Sequence, residues 1–336
     1  MKKTPVGALI FTVALSTAAC ERPPMEHTEI GWRGIGLLEI ENPRMRAADS
    51  TAVAEAMPPE FPPFGGSDDA APPGTWQNVQ VLGNLSELEF NRTMAAITQW
   101  VAPEQGCTYC HAVDAATGAV NMASDDIYTK VASREMFRMI KEINGQWSSH
   151  VGDAGVTCYT CHAGQPVPQN IWFYEDDMSW MRHLLDRDDA RVQSSWALAS
   201  EGENDVSIPE TVETYELMIH VSNSLGVSCT FCHQTSRWAD WEESPPARTK
   251  ALRGIRMVRQ ANMNHLVPLQ DVWPPERLGP LGDGPKVECA TCHQGANLPL
   301  YGLLNADGWP ALHLPAAQNP PAATGAEGSL GAGGGL

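Results

Sequence analysis

Aromatic side chains make up only 7% of this 336-residue chain, and 26 prolines are spread through it. Side chains alone therefore promise a meagre core. Basic residues are also scarce: 22 lysines and arginines stand against 40 aspartates and glutamates, for a formal net charge of −18. That balance argues against nucleic acid, whose binding needs cationic side chains. It favours a basic protein partner, because such a field speeds encounter with oppositely charged molecules, although a merely soluble surface would also account for it. Long apolar runs are missing. The run from Val6 to Ala19 follows Lys2 and Lys3 and is too short to span a bilayer, so residues 1–19 read as a secretory signal peptide. Cysteines outside close pairs are all but absent, Cys20 being the one exception among nine.

The other eight cysteines fall in four copies of Cys-x-x-Cys-His: Cys107/Cys110/His111, Cys158/Cys161/His162, Cys229/Cys232/His233 and Cys289/Cys292/His293. This is the attachment signature of c-type haem, in which two thiols add across the porphyrin vinyl groups and the histidine presents its imidazole to the iron. In an exported protein, cysteine pairs ordinarily imply disulfides. A histidine after every pair overrules that reading and predicts four covalent haem c groups, which also supply the missing apolar volume.

Thr17-Ala18-Ala19 before Cys20 resembles a bacterial lipoprotein cleavage site, with Thr17 where leucine is usual. The reading preferred here is acylation of Cys20; the rivals are ordinary cleavage leaving a free thiol and an uncleaved anchor. Each puts the protein outside the cytoplasmic membrane. Residues 20–75, rich in Pro, Gly and Ala, read as an extended arm, and residues 301–336 as a low-complexity tail. Between them, 76–300 read as a mainly α unit with little β, built as four helix-plus-motif units at about 84–117, 124–165, 207–238 and 249–296, in two pseudo-repeated pairs. Capping boxes at Ser86–Glu89 and Ser207–Glu210 open two of the helices. The segment 165–206 separates the two pairs.

The sixth iron ligand decides potential and openness: a thioether raises the potential, a second imidazole lowers it. Met94, Met136 and Met218 each lie on the apolar stripe of the helix preceding a motif. One such Met would be core filler, but recurrence in three units favours ligation. The fourth unit differs. Arg253-Gly254-Ile255-Arg256-Met257 aligns with Glu135-Met136-Phe137-Arg138-Met139, so Gly254 stands where Met136 does, and Asn262 falls opposite Asn144. The candidates for the remaining ligand are His150, His265, Met257 and Met263, with His150 slightly ahead of His265.

Several stretches resemble the tetrahaem cytochrome c subunit of purple-bacterial photosynthetic reaction centres: Val81–Leu85, Thr93–Ile97 through Gly106–His111, Gly155–His162, Ser224–Gly226 with Cys229–His233, Gly254–Arg259 and Cys289–Gly295. The resemblance covers roughly 76–300, with a weaker echo at Gly31–Gly34. It implies Met94, Met136 and Met218 as ligands of haems one, two and three, and His150 as ligand of haem four. It further implies a row of haems in the order one, two, four, three, and an arginine, here Arg248, near haem three. The expected function is electron transfer, not catalysis: a soluble basic cytochrome c or other small periplasmic donor reduces the chain, which re-reduces the photo-oxidised special pair held by the reaction-centre L and M subunits, while a lipid anchor ties it to the periplasmic face of the inner membrane. The alternative is a periplasmic multihaem reductase or peroxidase with one open iron.

Overall fold

The computed structural model describes residues 25–29, 38–58, 69, 71–72, 74–175, 178–187, 208–234, 236–238, 240–303 and 306–314. Cys20 and the residues beyond 314 lie outside them. The protein is mainly helical. Among the described residues the β strands form two short antiparallel pairs: β1 (Glu26–Glu29) with β2 (Leu38–Glu41), and β3 (Ala112–Val113) with β4 (Val120–Asn121). Among the described residues no helix is long and apolar enough to cross a membrane.

Helix α1 (Pro43–Ala56) lies inside the expected arm, which is thus partly folded. Asn42 caps it by accepting from the Arg44 and Met45 amides, and Pro43 occupies its first turn, where no amide is needed. It carries no apolar stripe and buries no residue, so periodicity could not announce it. Its end is tied to the core by the Tyr159 hydroxyl, which donates to the Ala56 carbonyl at 2.8 Å.

Helix α2 (Glu87–Val101) begins at Ser86, whose side chain accepts from the Glu89 amide, and Glu87 and Glu89 complement the positive end of its dipole. Helix α3 (Tyr128–Gln146) buries Phe137, Met139 and Ile140 and continues after Trp147 as the single turn α4 (Ser148–Val151). Helix α6 (Ile208–Leu225) ends at Gly226, which takes φ +65°; its backbone lies so close to Gly295 that a Cβ there would overlap the Gly295 carbonyl oxygen. Helix α7 (Pro246–Ala261) starts three residues before the expected Thr249, because Pro246 fits a first turn that polar residues then disguise. A single π turn, Asn262–Leu266, follows it.

Two apolar clusters form most of the core. One gathers Leu82, Leu85, Trp100, Phe137, Ile140 and Tyr159. The other gathers Trp172, Met181, Leu184, Leu217, Val221, Ile255 and Val258. Residues at 178–187, expected only as a spacer, thus belong to the second core. Residues 306–314 fall in the expected tail, yet Ala306, Trp309, Ala311 and Leu312 are buried in the first. Glycine- and alanine-rich composition around them masks their few large apolar side chains.

Candidate haem sites

The four Cys-x-x-Cys-His motifs fold in two ways. The second and fourth are single helical turns, α5 (Cys158–His162) and α8 (Cys289–His293). Each has threonine before its second cysteine, and that hydroxyl accepts from the backbone amide ahead of the motif: Thr157 N to Thr160 Oγ1 at 3.0 Å, Glu288 N to Thr291 Oγ1 at 2.9 Å. The first and third carry Tyr109 and Phe231 at that position and form 3-10 turns, Gly106–Tyr109 and Cys229–Phe231. Cys158 and Cys289 are buried, whereas Cys107 and Cys229 are exposed and Cys110 and Cys232 are half-buried. None of the eight motif cysteines forms a disulfide. Burial pushes the Cys158 and Cys289 thiols up to about 12. A hydrogen bond between Cys161 and Cys292, together with burial, holds the Cys161 thiol well above its ordinary value and brings the second and fourth motifs into contact.

The motif histidines are oriented by carbonyls. His162 Nδ1 meets the Gln165 carbonyl at 2.9 Å, His293 Nδ1 that of Ala296 at 2.9 Å, and His233 Nδ1 that of Trp238 at 3.3 Å. A carbonyl only accepts, so each Nδ1 carries the proton and each Nε2 keeps a free lone pair, the tautomer a metal requires. His111 approaches the Met122 carbonyl more loosely. Burial lowers the pKa of all four rings and keeps them neutral.

Met94, Met136 and Met218 are half-buried at the edges of the apolar clusters, and Met136 shares a cavity lining with His162. The four candidates for the remaining ligand lie in different surroundings. His265 has both ring nitrogens engaged, Nδ1 with Glu135 at 2.7 Å and Nε2 with Glu142 at 3.0 Å. Met257 is packed in the second cluster and lines the same cavity as His150 and His293, while Met263 is exposed. His150 instead faces His293, ring centres 6.1 Å apart and planes at 67°. Its Nδ1 donates to the Lys250 carbonyl at 2.9 Å, and burial pushes its pKa down to about 4. The ring lies against Gly254 on α7.

A cavity of about 480 Å³ runs between these elements. It is lined by Met136, Cys158, Cys161 and His162 from one motif and by His150, Gly254, Cys289, Cys292 and His293 from the other, among mostly apolar neighbours. Paired thiols, a neutral Nε2 and apolar walls on both sides make a donor set that fits haem c.

Cys107, Cys110 and His111 of the first motif lie off the lining of this cavity, as do Cys229, Cys232 and His233 of the third, together with Met94 and Met218. Cys161 and Cys292 meet each other, and Cys232, half-buried like them, sits in a different kind of turn. Its amide closes a 3-10 turn on the Cys229 carbonyl at 3.3 Å, and its thiol lies near enough to Arg248 to act on that guanidinium electrostatically. The physical reason is local. Phe231 has no hydroxyl to accept from the amide ahead of the motif, so the helical turn that carries Cys161 and Cys292 does not form around Cys232.

The chain matches the family described as "Photosynthetic reaction centre cytochrome C subunit" over residues 21–183 and 178–313. It is 40% identical to the photosynthetic reaction center cytochrome c subunit of Thermochromatium tepidum, across 91% of this chain and 80% of that one. The protein of the same name from Rubrivivax gelatinosus is also 40% identical, across 90% of this chain and 88% of that one. That of Roseobacter denitrificans is 35% identical, across 91% of each. The chain belongs to this family. It is an electron-transfer protein associated with the photosynthetic reaction centre on the periplasmic side of the membrane, and it carries covalently bound haem c. A periplasmic multihaem enzyme is not favoured.

Around the sites, the structure shows what Asn144 and Asn262, aligned by the register of their helices, hold in place. Asn144 donates to the Val156 and Leu312 carbonyls, both at 3.0 Å, and accepts from the Val156 amide at 2.8 Å. Asn262 does the same with Leu184 and Val287, all three bonds at 2.9 Å. Each thereby clamps the strand entering a buried motif to the preceding helix. His220 Nε2 lies 3.3 Å from Glu288 Oε2, yet burial pushes His220 down to about 4 and Glu288 up to about 7. Near neutral pH this pair is a hydrogen bond between a neutral ring and a partly protonated carboxyl rather than an ion pair. Arg248 lies over Trp241 at 3.9 Å, and its charge contributes to lowering the His233 pKa.

Proposed function

We propose that the chain holds four haems and passes electrons from a soluble periplasmic donor to the photo-oxidised special pair of a reaction centre. A bound haem supplies one-electron exchange between ferric and ferrous iron. The protein's own residues set where the electron resides. Cys107 and Cys110, Cys158 and Cys161, Cys229 and Cys232, and Cys289 and Cys292 form the thioether links; His111, His162, His233 and His293 are the proximal ligands. Met94, Met136 and Met218 complete the first three irons and His150 the fourth. The units pair as two pseudo-repeats around a row ordered one, two, four, three.

The observation that carries this reading is the cavity shared by the second and fourth motifs. Neighbouring haems there agree with the proposed order, and the Cys161–Cys292 contact supports it. The His150 and His293 rings face each other across that cavity with centres 6.1 Å apart, so both would be placed to hold the same haem. His265, with both ring nitrogens engaged by carboxylates, has none left for a metal.

The acidic surface suits a basic soluble cytochrome as donor. The L and M subunits are the proposed acceptor side, and acylated Cys20 the proposed anchor. Flash illumination of native membranes tests the central claim. Haem absorbance is expected to bleach as the special pair recovers; haems that stay reduced while the special pair remains oxidised refute it.

A further inference from the structure

We propose that Gly254 is the residue that selects the sixth ligand of the fourth haem: lacking a side chain, it admits the His150 imidazole where a methionine would otherwise supply a thioether. This deepens the ligand assignment above and rests on it.

Three observations converge. First, register. Gly254 precedes Asn262 by the same eight residues that separate Met136 from Asn144, and the two asparagines make corresponding bonds to the strands before their motifs. Gly254 therefore occupies the Met136 position in three dimensions as well as in alignment. Second, space. A Cβ at Gly254 would stand 2.5 Å from His150 Cε1, 3.0 Å from Nε2 and 3.1 Å from Nδ1. The ring is anchored in that position. Its Nδ1 is tethered to the Lys250 carbonyl, one turn earlier on the same helix, and its other side faces His293. Third, backbone. Gly254 lies in the interior of α7, where glycine weakens a helix relative to alanine. It has no positive φ to justify it. The space it leaves for the ring is what its presence accomplishes.

One backbone position thus acts as a selector. With a methionine side chain it delivers a thioether from its own helix; without a side chain it opens the site to an imidazole carried by α4. Because a second imidazole lowers the potential relative to a thioether, this position decides whether the fourth haem is a low or a high point along the row.

Holoprotein variants test this by electron paramagnetic resonance of the oxidised haems, by the long-wavelength sulfur-to-iron band of Met-ligated ferric haem, and by carbon monoxide binding. His150→Ala is expected to remove the single bis-imidazole signal and let one haem take carbon monoxide; if that signal survives, the ligand assignment itself is wrong. Gly254→Ala is expected to perturb or abolish the same signal with His150 intact. A signal and potential unchanged from the parent overturn the role of Gly254 while leaving the His150 assignment standing. Should Gly254→Ala not accumulate, Gly254→Ala/His150→Ala must accumulate, since the methyl then has no ring to meet; its failure also overturns the contact. In Gly254→Met/His150→Ala, one additional haem is expected to show the sulfur band, a raised potential and loss of carbon monoxide binding. Carbon monoxide binding equal to that of His150→Ala refutes the selector.

Discussion

Replacing Asn262 by alanine isolates the clamp that seats the fourth motif. Asn262 is fully buried and makes three hydrogen bonds of 2.9 Å, two donated to the Leu184 and Val287 carbonyls and one accepted from the Val287 amide. A hydrogen bond contributes about 1 kcal/mol net, while a buried group left without its partner costs about 1–3 kcal/mol. Alanine leaves three backbone groups stranded in a packed site. The variant is therefore expected to lose about 3–5 kcal/mol, a large share of the 5–15 kcal/mol typical of a folded domain. Asn144→Ala removes the same pattern at a less buried position and should cost less, about 2–3 kcal/mol. Guanidinium unfolding of the holoprotein, followed by far-ultraviolet circular dichroism, reads the loss as a lower midpoint at unchanged slope. Because Val287 leads directly into Glu288 and Cys289, the bis-imidazole resonance assigned to the fourth haem should broaden in Asn262→Ala and persist in Asn144→Ala. A loss below about 1 kcal/mol in Asn262→Ala, or equal broadening in both variants, refutes this account of the clamp.

Met218→Ala should open one iron: carbon monoxide then binds one haem of the reduced variant and none of the parent, and that haem's potential falls because the thioether is gone; binding by the parent would refute the closed ligand set. Glu288 gives a pH dependence. Its folded pKa of about 7 is raised by burial above the ordinary 4.5, so its favourable protonated contribution is full below about 4.5 and is lost as pH rises through 7. Above that, the new negative charge beside Cys289 stabilises ferric iron. The potential of the fourth haem should fall by an amount on the order of tens of millivolts between about pH 6 and 8, and Glu288→Gln should flatten the curve in a redox titration.

How much was legible varied with the element. Helix α2 was readable because Ser86, Glu89 and the apolar spacing to Val101 agree, each a local signal. Helix α1 was not, since it has a cap but no apolar stripe. The burial of Leu184 and Leu312 was equally hidden, because each is held by an asparagine at least 78 positions away in the chain. A finer local signal was available in the motifs: Thr160 and Thr291 before the second cysteine, against Tyr109 and Phe231, separate the helical, buried pair from the 3-10, exposed pair. Reading it would have set Cys232 apart from Cys161 and Cys292, which the shared pentad alone does not do.

The sequence by itself determined the chemistry. Haem attachment requires two thiols and an imidazole at fixed local spacing, and a contiguous pentad carries all of that. The stripe methionines and the odd glycine were visible for the same reason, since helical periodicity is local. Which imidazole faces His293 was left to tertiary structure. His150 and His265 look alike along the chain, and they part only when Glu135 and Glu142 close on the ring of one while the missing side chain of Gly254 makes room for the other. Hydrogen bonding and excluded volume between distant segments make that choice, and no spacing rule encodes it.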